Sequence, residues 1–274
     1  MRGKMKVAIR NSRGERIVAA VERPENPVCG RLAFVQHGLS GHKGQVMVRR
    51  PAEAFLDNGF TVVTFDSRHS FGESDGSLEF ATLSSFVEDL KTVVDWAAGE
   101  DFFGEPFALS GHSLGGGSVL RFAEEYPERV SLLVPVAAMV GGKYFIRSRL
   151  LNEHDSYRKW QREGRLYREN KNHPELNGWL SFDVVRDMLR YNLVRDAGSI
   201  RCPTLLITGD RDPSSTVYNN EKLFERLQCA KRLTILKECG HLYENGQNAG
   251  DLYRTVRDWV KENVRSEEHT SELQ

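Results

Sequence analysis

Pro106-Phe107-Ala108-Leu109-Ser110-Gly111-His112-Ser113-Leu114-Gly115-Gly116-Gly117 is the stretch on which the reading of the chain turns. An apolar run leads into Gly111-x-Ser113-x-Gly115, and a helical pattern from Ser118 to Tyr126 follows until Pro127 ends it. Strand, tight turn and helix in that order form the setting of a nucleophile elbow. The turn is so sharp that the residues two places either side of the serine have no room for a side chain, hence glycine at both. It lifts the Ser113 hydroxyl above the sheet and leaves the first amides of the next helix unpaired and aimed at the same point, a ready oxyanion site. Without its flanks, Gly-x-Ser-x-Gly would be no more than a glycine-rich turn.

Outward from the elbow, short apolar runs alternate with helical patterns. Met5 to Arg10 and Ile17 to Val21 flank a turn at Asn11-Ser12-Arg13-Gly14 and predict an antiparallel hairpin. Leu32–Val35 is apolar throughout, as a strand buried on both faces is; Thr61–Phe65 and Thr204–Thr208 read as further buried strands, and Leu132–Ala137 and Leu233–Leu236 as strands. Between them, helices are predicted over Ala52–Asn58, Leu83–Ala98, Tyr218–Leu227 and Asp251–Val264. The alternation implies an α/β fold: a mostly parallel, doubly wound, eight-stranded sheet covered on both sides, forming one domain over 1–264. A segment within it, 142–198, has a different character. Lys143 to Arg195 holds 12 Lys and Arg against 7 Asp and Glu, interleaved with aromatics, and reads as an inserted lid of two to four short helices. Tyr157, Trp160 and Tyr167 fall at helical spacing. Such residues more often pack on the body of the domain than wall a substrate site, and lid arginines are more often solvated than ligand-binding.

Composition narrows the function. Lys+Arg and Asp+Glu both number 38 in 274 residues, so no global charge favours nucleic acid or an anionic membrane. No apolar run approaches the ~18–20 residues of a membrane span, and no apolar stretch follows the charged N-terminus as in a signal peptide. The four cysteines show no metal or CxxC spacing and suit a reducing, cytoplasmic setting. The last ten residues, Arg265 to Gln274, match codon for codon the in-frame translation of a common sequencing-adapter oligonucleotide. They are expected to break off the preceding helix, to be disordered and to carry no function.

A serine hydroxyl needs a base within reach. Among the eight histidines, His241 lies just after the last strand in Glu238-Cys239-Gly240-His241, at the carboxyl edge where α/β sheets bind ligands. His112 occupies the variable elbow position and is expected to pack, and His37, His42 and His69 have no metal-type spacing. The base in turn needs a carboxylate. Gly209-Asp210-Arg211-Asp212-Pro213 follows the penultimate strand and offers two. Asp212, further along the turn, is placed to face His241, whereas Asp210 is better placed to hold the loop through backbone N–H groups.

With Ser113, Asp212 and His241 in that order, the chain resembles the α/β-hydrolase superfamily over nearly its whole length. The resemblance runs from His37-Gly38 through Gly111-His112-Ser113-Leu114-Gly115 to Gly209-Asp210-Arg211-Asp212 and Gly240-His241. It implies an oxyanion hole made by the backbone N–H of Leu39, the residue after the His-Gly pair, and that of Leu114. The family's Asp-x-Arg-Gly-x-Gly-x-Ser loop is altered here: Asp66 to Gly76 lacks the first glycine and is one residue longer, so pocket shape does not carry over. In detail the chain is similar to bacterial serine esterases of the cinnamoyl/feruloyl-esterase and monoacylglycerol-lipase-like branch. A serine at the elbow speaks against the dehalogenases and epoxide hydrolases, which use aspartate, and the dienelactone hydrolases, which use cysteine.

The expected activity is that of a carboxylic ester hydrolase working through an acyl-enzyme, with Ser113 as nucleophile, His241 as base and Asp212 orienting it. No cofactor and no metal are called for. The expected partner is a small-molecule ester; nucleic acid is not expected, and a homodimer is compatible with the sequence. Amide, peptide or C–C bond hydrolysis on the same fold remain open, as does a binding module that kept the fold without the chemistry.

Overall fold

The computed structural model describes residues 3–169 and 177–271. The N-terminal strands β1 (Gly3–Arg10) and β2 (Arg16–Arg23) pair antiparallel. Asn11 Oδ1 accepts the N–H groups of Arg13 and Glu15, at 2.9 and 3.0 Å, and so fixes the turn between them. The chain continues through β3 (Leu32–Gln36), α1 (Val46–Asp57), β4 (Thr61–Asp66), α2 (Leu83–Ala97), β5 (Phe107–His112), α3 (Leu114–Glu125) and β6 (Val130–Val136). The inserted segment holds α4 (Gly142–Asn152), α5 (His154–Glu163), β7 (Arg165–Arg168), β8 (Gly178–Ser181), α6 (Asp183–Met188) and α7 (Leu193–Asp196). After it come β9 (Thr204–Gly209), α8 (Val217–Arg226), β10 (Lys231–Leu236) and α9 (Gly246–Ser271).

Eight strands form one sheet in the order β1-β2-β4-β3-β5-β6-β9-β10. Pairing is parallel from β4 to β10 and antiparallel at β1–β2 and β2–β4. Period-2 alternation divides the core between the two faces. In β3, Leu32 and Phe34 join the cluster under α2, α3 and α8, while Ala33 and Val35 join the one under α1 and α9. Phe34 meets Phe107 edge-to-face at 5.0 Å, which locks neighbouring strands on the first face. This is the doubly wound architecture the alternation of apolar runs implies. No described helix is long and apolar enough to cross a membrane.

Three elements differ from the sequence reading. Helix α1 begins at Val46 rather than Ala52 and takes Pro51 inside it. Burial of Met47 and Val48 against the sheet offsets the hydrogen bond that proline cannot make. The insertion contains a β-hairpin, β7–β8, as well as helices, with residues 170–176 outside the described set. Tyr167 is therefore a strand residue, 5.2 Å from the Trp179 ring across the ladder, and not part of a helical face. Tyr157 and Trp160 do pack inward, on Phe182 at 5.8 and 5.4 Å. Finally, α9 runs on through Ser271, where the sequence reading ends the helix at Val264 and expects a disordered tail. The segment contains neither proline nor glycine, so nothing in it stops a helix already begun. Residues 272–274 of that tail lie outside the described set.

What positions the elbow is backbone touching backbone. A Cβ on Gly111 would lie 2.3 Å from the Gly115 carbonyl oxygen, and one on Gly115 would lie 2.3 Å from that of His37. Helix α3 thus starts in contact with both its own strand and the end of β3. Gly115→Ala is expected to force these apart and cost about 2–3 kcal/mol. In a domain of this size that lowers Tm by roughly 4–10 °C, read by thermal unfolding. An unchanged Tm would show that the α3–β3 contact yields without strain.

Candidate active site

Ser113 stands between β5 and α3 at φ 52° and ψ −112°, a backbone conformation that residues with a side chain rarely adopt. Its N–H donates to Val136 O at 2.9 Å, and its own carbonyl accepts from Gly117 and Met139, so strand, helix and the chain after β6 hold the strain in place. His241 follows β10 in space as in sequence. Its Nδ1–H donates to Asp212 Oδ2 at 2.7 Å, because a carboxylate only accepts. Nε2 is then left to accept from the Ser113 hydroxyl at 3.0 Å. The structure brings together all three side chains singled out from the sequence.

Asp212 is buried, and its other oxygen accepts the N–H groups of Ser214 and Ser215 at 2.8 and 2.9 Å. Burial alone would raise this carboxyl. The hydrogen bond and charge of His241, with the two serine amides, outweigh it and hold the group below the usual carboxylate range. Asp210 is exposed and accepts the Cys239 N–H at 3.2 Å, tying the loop after β9 to the loop that carries His241.

Two further histidines are structural here. His112 is buried with its ring 4.8 Å from that of His241, and its Nε2–H donates to the His241 carbonyl at 2.9 Å. His37 is also buried; its Nε2 accepts the Ser67 N–H at 2.8 Å, so Nδ1–H donates to Gly38 O at 2.7 Å. Burial lowers His37 to about 4, and burial with the nearby His241 lowers His112 to about 3. Both rings are neutral across the physiological range. His42 and His69 lie to the side, each accepting a backbone N–H, from Gly44 and Ser77.

Leu39 and Leu114 line one cleft with Ser113 and His241, of about 320 Å³. Leu114 opens α3, where helix geometry leaves the amide without an intrahelical partner. Gly38 lies hard against the elbow, since a Cβ there would come within 2.9 Å of Ser113 Cβ. The loop bearing Leu39 is anchored from below. Lys43 N–H and Nζ donate to Asp66 at 2.7 and 2.5 Å, and a Cβ on Gly72 would collide with that carboxylate. The altered Asp66–Gly76 loop is thus braced by its own means, and it sends Phe71 into the cleft. Arg68, from the same loop, is buried among Asp89, Glu88 and Glu15.

Several cleft residues were not singled out by sequence reasoning: the apolar Phe71, Met139 and Met188, and the charged Arg149 and Arg168. Their positions in the sequence show no shared period, because they come from different elements of the body and the insertion. Of the insertion's aromatics, Phe145 reaches the cleft, whereas Tyr157, Trp160 and Tyr167 do not line it.

The sequence model of a family described as serine aminopeptidase, S33, matches residues 30–247. A 31.7 kDa protein of Escherichia coli from the traX-finO intergenic region is 25% identical over 240 residues, covering 77% of this chain and 82% of that protein. A monoacylglycerol lipase of Mycolicibacterium smegmatis is 35% identical over 122 residues, 44% of this chain and 42% of that one. Among solved structures, Est1E from Butyrivibrio proteoclasticus with ferulic acid bound superposes with a TM-score of 0.76 at 20% identity, covering 94% of this chain and 99% of that one. That likeness is one of fold.

The neutral histidines are open to direct test. In a proton and nitrogen NMR titration, His37 and His112 are expected to show no midpoint between roughly pH 5 and pH 8. His37 should carry its proton on Nδ1 and His112 on Nε2. A midpoint near the unperturbed value of about 6.5 for either ring would contradict the burial and bonding described here.

Proposed function

The chain belongs to the serine aminopeptidase S33 family of α/β-hydrolases and is a hydrolase, and from that premise we propose that it cleaves carboxylic esters through a Ser113-His241-Asp212 triad. The observation that carries the reading is the continuous relay from Ser113 Oγ through both ring nitrogens of His241 to a buried carboxylate, at 3.0 and 2.7 Å, on the floor of a partly apolar cleft. The serine hydroxyl is a weak nucleophile until His241 Nε2 takes its proton as Oγ bonds to the ester carbonyl carbon. Asp212 keeps the ring in the one tautomer that leaves Nε2 free and stabilises the imidazolium that forms. The oxyanion is held by the N–H groups of Leu39 and Leu114. Collapse of the tetrahedral intermediate breaks the C–O bond, and His241 returns the proton to the departing alcohol. Water, deprotonated by the same ring, then releases the acid from Ser113.

An ester fits better than an amide, because an alkoxide leaves more readily than an amine. The family description raises aminopeptidase activity as a second reading. A peptide's charged N-terminus needs carboxylates to receive it, and the cleft presents Arg149 and Arg168, with Glu169 the one acidic side chain lining it among the described residues. The residues around Ser113 therefore support the ester reading over the peptidase one. The relationship to a monoacylglycerol lipase points the same way.

Ser113→Ala is expected to fold and to lose on the order of 10⁶ in kcat towards 4-nitrophenyl butyrate, with labelling by a fluorophosphonate abolished. Retention of more than a few per cent of turnover in a clean preparation would remove Ser113 from the mechanism.

The two aspartates should separate cleanly. Asp212→Asn is expected to lower kcat a hundredfold or more with little change in Tm, since the amide holds His241 in the wrong tautomer. Asp210→Asn keeps an oxygen for the Cys239 N–H and loses only its charge, so it is expected to cost about 1 kcal/mol or less, with turnover largely kept. Parallel kcat and Tm measurements decide; the reverse pattern would transfer the orienting role to Asp210.

A further inference from the structure

The cleft has two kinds of lining. Leu39, Phe71, Met139, Phe145 and Met188 are apolar. Two arginines from separate parts of the insertion join them: Arg149 from α4 and Arg168 from the end of β7. Arg168 is exposed to solvent on one side and donates from Nη1 to Ser40 Oγ at 3.3 Å, on the loop that carries Leu39. Among the described residues it has no carboxylate partner. Arg149 pairs with Glu153 one helical turn on and stacks 5.1 Å from the Phe145 ring centroid, but its Nε is buried without a hydrogen-bond partner. The two guanidinium charges oppose one another, with Glu153 the acidic group that offsets them. Glu169 lies at the same cleft and makes no ion pair with either arginine among the described residues.

A guanidinium is never neutralised by losing its proton, so like charges brought into a cleft call for an anion. Arg168 has donors left over beyond its bond to Ser40, and a guanidinium fork matches carboxylate oxygens. Glu153 and Glu169 together match the two positive charges, but Glu169 pairs with neither arginine, so the open donors of Arg168 suit a monoanion better than a dianionic phosphate. We propose that the preferred ester carries a carboxylate of its own, bound by Arg168 and Arg149 while the apolar limb lies against Phe71, Phe145 and the two methionines. The proposal rests on the ester-hydrolase reading above and adds the class of substrate.

Two matched pairs of esters test it. In the first pair the carboxylate is on the acid limb, 4-nitrophenyl hydrogen glutarate against 4-nitrophenyl valerate. In the second it is on the alcohol limb, 4-carboxyphenyl butyrate against phenyl butyrate. The protein is expected to prefer the anionic member of at least one pair by about tenfold or more in kcat/KM, the scale of a charge-assisted bond, and less so as salt is raised. In Arg168→Gln and in Arg149→Gln the ratio within that pair should collapse, and Arg168→Lys should restore part of it. Preference for the neutral member of both pairs, or an anionic preference that survives both glutamine replacements, overturns the proposal. Failure of every ester to turn over, together with no fluorophosphonate labelling, would instead take down the ester-hydrolase reading. Calorimetry on the Ser113→Ala protein decides the present proposal in that event as well. Tighter binding of the anionic member of a pair, weakened at least several-fold by Arg168→Gln, supports it, and equal binding of the two members overturns it.

Discussion

The first turn of α3 rests on the main chain at the end of β3, with no side chain between them, and the chemistry above the sheet depends on that contact. Because Gly115 brings the helix against the His37 carbonyl, the helix axis is aimed from directly beneath Ser113, and its unpaired amides arrive where the loop bearing Leu39 also arrives. The same closeness forces the left-handed backbone of Ser113. That strain, of the order of 1–3 kcal/mol for such a residue, persists because the hydrogen bond to Val136 and those from Met139 and Gly117 over-determine the turn. A side chain at either glycine would relax the serine and separate the two amide-bearing segments in one step.

Around this contact the site is a meeting of loops, each tied to the next by buried polar groups. His37 joins the end of β3 to the chain after β4 through Ser67, and Asp66 joins that chain back to Lys43. His112 reaches from the elbow to the His241 carbonyl, while the Ser215 hydroxyl donates to Ala138 O at 2.7 Å and fixes the loop of Asp212 to the end of β6. Each bond costs less to keep than to lose, since every one satisfies a group that burial has removed from water.

How legible this was depends on how local the determining physics is. Ser113, Asp212 and His241 could be read because each follows a buried strand in the chain order the fold requires, and the elbow glycines report a steric fact of their own neighbourhood. Chain order did not separate Asp212 from Asp210, which follow the same strand; the choice rested on Asp212 lying further along the turn. The β7–β8 hairpin was not legible, since Tyr167 and Trp179 declare themselves as a cross-strand pair only once the strands meet. Nor was the convergence of Arg149 and Arg168, which come from a helix and a strand with no common period. The onset of α1 was hidden by Pro51, whose local veto was overruled by burial of the residues before it. At the other end, α9 carries on because no residue there forbids it, and an argument from weak periodicity could not see that.

The insertion leaves the sheet after β6 and returns at β9, and those two strands are hydrogen-bonded neighbours, Leu133 beside Thr204 and Val136 beside Ile207. Its attachment points are thus adjacent, and its ties to the body are side-chain bonds such as Ser84 to Asp187 and Asn152 to the Pro213 carbonyl, not strand register. Over evolutionary time the two parts are therefore exposed to change unequally. Substitutions, and even changes in length, inside the insertion alter the lining of the cleft while every strand pairing of the sheet is kept, and they reach the loop of Asp212 through bonds such as that from Asn152.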